Sequence, residues 1–251
     1  MTGRARAVGA LIIGDEILTG KRADKHLPHV IATLGARGIT LDYAQYLGDD
    51  RERITSVLRD SLARDDVLFS FGGIGATPDD HTRQAAAAAF GVPLALNPEA
   101  VREIEARFGA EAYPHRVLMA EFPAGARIIP NPFNRIAAFA VRDHHFFPGF
   151  PQMAWPMLDW VLATWLPHLA GERPIERALV VRDAGESQLL PLMDEVTAAH
   201  PRVKLFSLPT LLADGGRRLE LGVRGLAADV EPAFATLHAG VASSGFPWEP
   251  L

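Results

Sequence analysis

The sequence predicts an α/β fold, a doubly wound and mostly parallel sheet, followed by a small α+β domain. Three observations carry that expectation. Strand-like and helix-like runs alternate strictly over residues 7–108; the runs at 7–13 and 67–71 are apolar at nearly every position; and a segment with two prolines and a glycine at 166–174 precedes a βαββα tail. Apolar runs without polar alternation belong to strands covered on both faces, as in a parallel sheet with helices on either side. Right-handed crossovers then place ligands outside the carboxyl ends of the strands.

Residues 7–13 form the first strand. Leu27, Val30, Ile31 and Leu34 recur at helical spacing over 26–34, and Gly35 or Gly38 ends that helix. Residues 39–47 read as a strand, 51–63 as an amphipathic helix, 67–71 as a third strand and 80–90 as an alanine-rich helix stopped by Gly91. A helix over 97–108 gives way to a proline-rich, irregular stretch at 113–133, with a short apolar element around Ile128. Two short strands, 137–141 and 144–147, flank Arg142-Asp143 as a hairpin turn, and Pro148-Gly149-Phe150-Pro151 leads into a helix over 152–166. Beyond the linker, 175–181, 203–208 and 217–224 read as strands, with helices at 185–199 and 229–241. The expected domains are residues 1–168 and 174–251.

Composition narrows the function classes. The 251 residues carry a net charge of −5, and the 25 basic residues are scattered singly or in pairs, so no electrostatic footprint for nucleic acid is expected. The absence of cysteine excludes disulfides, thiolate metal sites and a cysteine nucleophile, and is compatible with a reducing cytosol. Arg4 and Arg6 precede an apolar run that breaks at Gly14-Asp15, too short for a signal peptide, and no stretch approaches a membrane span. A cytoplasmic protein with neither a nucleic-acid nor a membrane partner is expected.

The most informative segment is Phe69-Ser70-Phe71-Gly72-Gly73-Ile74-Gly75-Ala76-Thr77-Pro78-Asp79-Asp80-His81-Thr82, a strand running through a glycine-rich turn into a helix. Gly72, Gly73 and Gly75 remove the Cβ atoms that would keep backbone N–H groups from a ligand. The helix N-terminus adds unpaired donors and a positive dipole end. Phosphate is the expected guest. Asp79 and Asp80 on the lip would repel bare phosphate, which a divalent cation bridging carboxylate and phosphate reconciles. Thr77 as N-cap, Pro78 at the first helical position and Asp80 as a shortened capping-box acid explain the same residues as an ordinary helix start.

Gly14-Asp15-Glu16 follows the first strand, Asp49-Asp50 the second and Gly72 to Asp80 the third, so all three share one edge of the predicted sheet. Acids converging there can hold a hard cation such as Mg²⁺, alone or with another cation, with Asp15, Asp49 and Asp80 as the candidate ligands. Asp49 or Asp50 also suits the N-cap of the helix at Arg51. Gly14 to Arg22 is a near miss to a P-loop, because five residues separate Gly14 from Gly20 and Arg22 stands where Ser or Thr is needed. Lys21, Arg22 and Lys25 can meet ligand phosphates or form a solvated patch. The nine histidines show no metal-ligand spacing and read as surface residues, His144-His145 among them. Ser187 lacks a nucleophile-elbow pattern, and Trp155 and Trp160 read as helix packing.

Gly14-Asp15-Glu16-Ile17-Leu18-Thr19-Gly20, Gly48-Asp49-Asp50, the Gly72 to Thr82 segment, Ile129-Pro130-Asn131-Pro132 and Pro148-Gly149-Phe150-Pro151 resemble, in order and spacing, the CinA-type (competence/damage-inducible protein A) molybdopterin-binding-like domain. The resemblance spans residues 7–166 and extends to MogA, MoaB and MoeA, which bind molybdopterin and, in the MogA type, adenylylate it with Mg²⁺ATP. CinA-type proteins are associated with metal-dependent cleavage of ADP-ribose. The resemblance makes Gly72, Gly73, Gly75 and Thr77 phosphate or pterin contacts and Asp49 and Asp80 the catalytic acids. Gly14, Asp15, Glu16, Asp79, Thr82 and Asn131 join them as ligand-binding positions, with Pro148, Gly149 and Pro151 as the second ligand-binding turn. It also implies a homo-oligomer, a small-molecule nucleotide or pterin as partner, and a KH-like tail that lacks an RNA-clamping G-x-x-G loop.

Against the family pattern, no CinA amidase domain is expected here, and residues 22–26 replace the usual Asn-containing stretch. Asn134 stands near a family glycine and can supply its left-handed conformation. The leading expectation is a Mg²⁺-dependent hydrolase of a pyrophosphate such as ADP-ribose. The alternatives are molybdopterin binding or adenylylation, and nucleotide sensing without turnover.

Overall fold

The computed structural model describes residues 6–212 and 215–251; most of the basic N-terminal segment weighed as a signal peptide lies outside them. The chain divides into two compact units, Met1–Ala170 and Gly171–Leu251. In chain order the first unit contains β1 (Val8–Ile13), α1 (Asp15–Leu18), α2 (His26–Gly35), β2 (Tyr43–Leu47), α3 (Arg51–Ala63), β3 (Val67–Phe71) and α4 (Thr82–Phe90). There follow β4 (Leu94–Leu96), α5 (Pro98–Phe108), two 3₁₀ turns at Gly109–Ala112 and Arg116–Ala120, β5 (Glu121–Pro123) and β6 (Arg127–Ile129). The unit ends with β7 (Ala138–Val141), β8 (His144–Phe147) and α6 (Pro151–Thr164).

Six strands form the main sheet in the order β2-β1-β3-β8-β7-β6. β2, β1, β3 and β8 run parallel; β7 joins β8 antiparallel as a hairpin, and β6 pairs antiparallel with β7 at the edge. The α/β class read from the sequence is thus the class observed. Every residue of β1, β3 and β8 is buried, as helices on both faces require. Ala10, Leu11, Leu68, Phe69, Phe146 and Phe147 anchor a core completed by Leu34, Ile54, Leu58 and Leu158 from the helices.

α3 spans the predicted residues because its ends are well specified: the Asp50 carboxylate accepts the Arg53 amide at 2.6 Å, satisfying a first-turn donor. α5 is capped likewise by Asn97, which accepts from Glu99 and Ala100 ahead of Pro98. The helix expected from residue 80 starts at Thr82, with His81 as N-cap. Thr77 and Pro78 are not its cap and first position. The Asp80 carboxylate instead turns back to accept the Thr77 amide and hydroxyl at 3.0 and 2.5 Å, while the Asp80 amide donates to the Thr77 carbonyl. Residues 77–80 are therefore a self-closed turn.

Three other expectations are corrected. The second strand covers Tyr43–Leu47, and residues 39–42 remain outside it. The stretch expected to be irregular supplies β5, which pairs with β4, and β6, which closes the main sheet. The left-handed residue of the 131–136 loop is Arg135, with φ of +62°, while Asn134 spends its side chain on hydrogen bonds within that loop.

His26, His144 and His145 are buried, where the sequence reading put surface residues. β8 lies inside the sheet, so its apolar neighbours enclose the imidazoles. His144 meets Phe90 edge-on and His145 stacks on Phe69.

The second unit contains β9 (Ile175–Arg182), α7 (Glu186–Ala199), β10 (Lys204–Leu211), β11 (Arg217–Gly225), α8 (Ala227–Ser243) and β12 (Trp248–Pro250). Its sheet has the order β10-β11-β9-β12 and is antiparallel throughout. β12 is the element the βαββα reading lacked. Among the described residues no helix is long and apolar enough to cross a membrane.

Candidate functional site

Loops at the carboxyl ends of β1, β2, β3 and β8 line one cavity of about 480 Å³. β1 has β2 on one side and β3 on the other, so the cavity lies where the strand order reverses, the usual ligand position in a doubly wound sheet. Of the residues predicted from sequence, Gly14, Glu16, Asp49, Gly72, Gly73, Gly75, Thr77, Asp79, Asp80, Asn131, Pro148 and Gly149 line it. Asp15, Thr82 and Pro151 do not.

The glycine loop turns its carbonyls toward α4. The Thr82 hydroxyl and amide donate to the carbonyls of Gly72 and Gly73, each at 3.0 Å, and the Arg83 guanidinium donates to that of Gly75 at 2.7 Å. The amides of Gly73, Ile74, Gly75 and Ala76 have no acceptor among the described residues. Four successive amides without a protein acceptor lie along the cavity, the donor set that an anion-binding concavity requires. Glycine is required at 72, where φ is +103° and a Cβ would stand 2.1 Å from the Ile13 carbonyl oxygen. At 75 a Cβ would meet the Asp80 carboxylate at 2.4 Å.

The second turn repeats the arrangement. Gly149 and Phe150 donate their amides to no described residue, and the Gly149 carbonyl is engaged by His26 Nε2 at 3.1 Å. Gly149 approaches so closely that a Cβ there would lie 3.6 Å from Gly72 Cα, so the two turns form adjoining walls. Apolar surface from Ile74, Met119, Ile136, Phe150 and Met153 completes the cavity.

Asp15 and Asp49 brace each other: the Asp15 amide donates to Asp49 Oδ2 at 2.9 Å and the Asp49 amide to Asp15 Oδ1 at 3.2 Å. Asp50 caps α3, which leaves Asp49 as the acid of that pair facing the cavity. Burial raises the Asp49 pKa; the hydrogen bond from Asp15 opposes this, and the charges of Asp15, Glu16 and Asp79 raise it further. Asp79 thus shares a field with Asp49. Asp80 is occupied with Thr77.

The three-carboxylate metal site expected from Asp15, Asp49 and Asp80 is not assembled. Among the described residues no three His, Cys, Asp or Glu side chains stand close enough together to hold a metal ion. Asn131 is a shaping residue as well as a lining one: its amide donates to Asn134 Oδ1 and the Ile136 carbonyl, and its Oδ1 accepts the Phe133 amide. Arg22 is the one basic residue lining the cavity, and its side chain forms no ion pair or hydrogen bond with a described residue.

The family model described as "Probable molybdopterin binding domain" matches residues 9–168. The chain belongs to that molybdopterin-binding domain family. The CinA-like protein of Anaeromyxobacter sp. (strain Fw109-5) is 35% identical over 200 residues, covering 75% of this chain and 48% of the relative. The CinA-like protein of Citrifermentans bemidjiense is 38% identical over 171 residues, covering 65% of this chain and 41% of the relative. The matched region thus amounts to about half or less of these relatives' length. Among solved structures, CinA of Thermoplasma acidophilum, described as a protein of unknown function, superposes with a TM-score of 0.57 at 26% identity. That match covers 63% of this chain and 98% of the other.

Two residues that organise the site were not singled out by sequence reasoning. Arg83 carried a usable signal, since a cation in the first turn of a helix faces the positive dipole end and needs some other reason to be there. His26 carried none, because nothing local distinguishes a buried histidine at a helix start from an exposed one.

Proposed function

We propose that the cavity binds a phosphorylated heterocycle of the molybdopterin class, phosphate on the amides of residues 73–76 and ring against Phe150, Met119 and Met153. The observation that carries this reading is the combination of four free amides with three carbonyls tied back by Thr82 and Arg83. A volume of about 480 Å³ suits a ligand of that size. The family match supports a pterin as the heterocycle.

The acids fit a divalent cation only in part. Asp49, Glu16 and Asp79 supply hard oxygen donors with no protein cation paired to them, yet too few gather for an all-protein cage. Mg²⁺ is commonly held by one or two carboxylates together with ligand phosphate and water, and Asp49 and Asp79 would serve in that way. The ion would neutralise phosphate charge and polarise a phosphoryl oxygen.

Hydrolysis of a pyrophosphate such as ADP-ribose is the second reading. The raised pKa of Asp49 favours it, because a carboxylate tuned toward neutrality is a better proton acceptor from water. Titration of the full chain with molybdopterin, ADP-ribose and AMP, with and without Mg²⁺, separates the two. Tight pterin binding without turnover supports the first reading; AMP and ribose phosphate formed from ADP-ribose support the second. Absence of binding to all three ligands removes both.

A further inference from the structure

We propose that Arg83 is the positioning residue of this anion site, holding the two walls of the cavity in register and supplying a buried positive charge behind the glycine loop. The inference rests on the reading of the cavity as a phosphate site.

Arg83 is 3% exposed. Its Nη2 donates to the Gly75 carbonyl at 2.7 Å, while Nη1 donates to the carbonyls of Leu118 and Glu121 at 2.6 and 2.9 Å. Gly75 belongs to the loop with the free amides, and Leu118 precedes Met119, which lines the same cavity. One planar guanidinium therefore spans segments that the sequence separates by about forty residues, a task suited to its rigid fork of donors. Removing its grip frees the Gly75 carbonyl to turn into the cavity, where an oxygen would repel phosphate.

The charge is only loosely paired. The nearest acidic oxygen, on Glu121, is 3.9 Å away, beyond hydrogen-bonding distance, and Arg83 Nε is buried without a partner. Burying an arginine in this way is costly unless the field it creates is used. An anion in the cavity would add a counter-charge to those of Glu121 and Asp80. Burial lowers the Arg83 pKa, with Glu121 and Asp80 opposing that effect, and the guanidinium stays charged at neutral pH.

The test uses the ¹⁵N-labelled full chain and inorganic pyrophosphate with Mg²⁺ as probe. Affinity and the amide resonances of residues 73–76 are followed in wild type, R83K and E121Q. A lysine keeps the charge but cannot reach both walls. R83K is expected to weaken pyrophosphate binding about tenfold and to displace the ligand-free amide resonances of 73–76. E121Q leaves the Glu121 backbone contact in place and removes an opposing charge, so it is expected to tighten binding about twofold. Folded R83K with wild-type affinity and wild-type amide resonances at 73–76 overturns the proposal, as does E121Q with unchanged affinity. Should R83K fail to fold, E121Q decides alone. If pyrophosphate leaves the wild-type amides at 73–76 unmoved, the phosphate reading fails, and the ligand-free R83K resonances at 73–76 still judge Arg83: displaced supports its positioning role, unchanged overturns it.

Discussion

The two ends of the parallel strands treat charge in opposite ways. At the amino ends, Arg6 reaches the carboxylates of Asp65 and Asp143 at 3.1 and 2.5 Å, and Arg64 and the Tyr43 hydroxyl both engage the buried Asp66 at 2.8 Å. At the carboxyl ends, Glu16, Asp49, Asp79 and Arg22 form no ion pair with a described residue. The same sheet thus has one end whose charges satisfy each other and one end whose charges and amides stay without an ion-pair partner or acceptor among the described residues. Charge paired inside the protein serves folding, whereas charge left unpaired beside a cavity is available for binding.

If that contrast is correct, perturbing the amino end changes stability and leaves binding alone. The largest effect is expected from acid. Burial lowers the pKa of both His144 and His145, next to that end, to about 4. Both are protonated more readily in the unfolded chain, whose pKa is near 6.5, so the unfolded state binds more protons and stability falls as pH drops from about 6.5 to 4. The loss should reach about 3 kcal/mol per histidine. Urea unfolding at pH 7 and pH 4.5 measures it, and a flat profile would contradict the burial of these side chains.

Gly72→Ala is the next largest and the one change that should cross the boundary. The new Cβ collides with the Ile13 carbonyl at a positive φ, so about 3 kcal/mol of stability and the anion site should be lost together. Asp66→Asn should cost about 2 kcal/mol, since Arg64 loses its ionic partner, with pyrophosphate affinity unchanged. A drop in affinity would show that the two ends are coupled. Asp79→Asn is expected to alter stability by no more than about 0.5 kcal/mol while weakening Mg²⁺-dependent binding about tenfold. For Asp49, whose pKa is raised, metal-dependent binding should fade on acidification at a higher pH than an ordinary aspartate would give. Calorimetric titration across the acid range reads that midpoint.

Much of the carboxyl end was legible in the residues themselves. The glycines at 72, 73 and 75, the acids at 16, 49 and 79 and the turn at 148–149 are local patterns, and placing them at one edge required only the alternation of strand and helix. The roles within that set were less legible. Asp15, Asp49 and Asp80 looked equivalent as acids after strands or turns, but one braces a neighbouring loop, one faces the cavity and one closes a turn on Thr77. A carboxylate's partner depends on backbone donors brought near by folding, which composition does not record.

What the sequence determined by itself is the parallel α/β layout of the first unit and the position of the glycine turn, because periodicity, capping and glycine placement act over a few residues. What only tertiary structure decided is which groups remain unpaired. Arg83 is separated by 35 residues from Leu118, and His26 by 123 from Gly149, so their contacts form only when distant segments pack together. Burial then makes those contacts consequential, since in a water-poor interior a polar group must be paired by the protein or by its ligand.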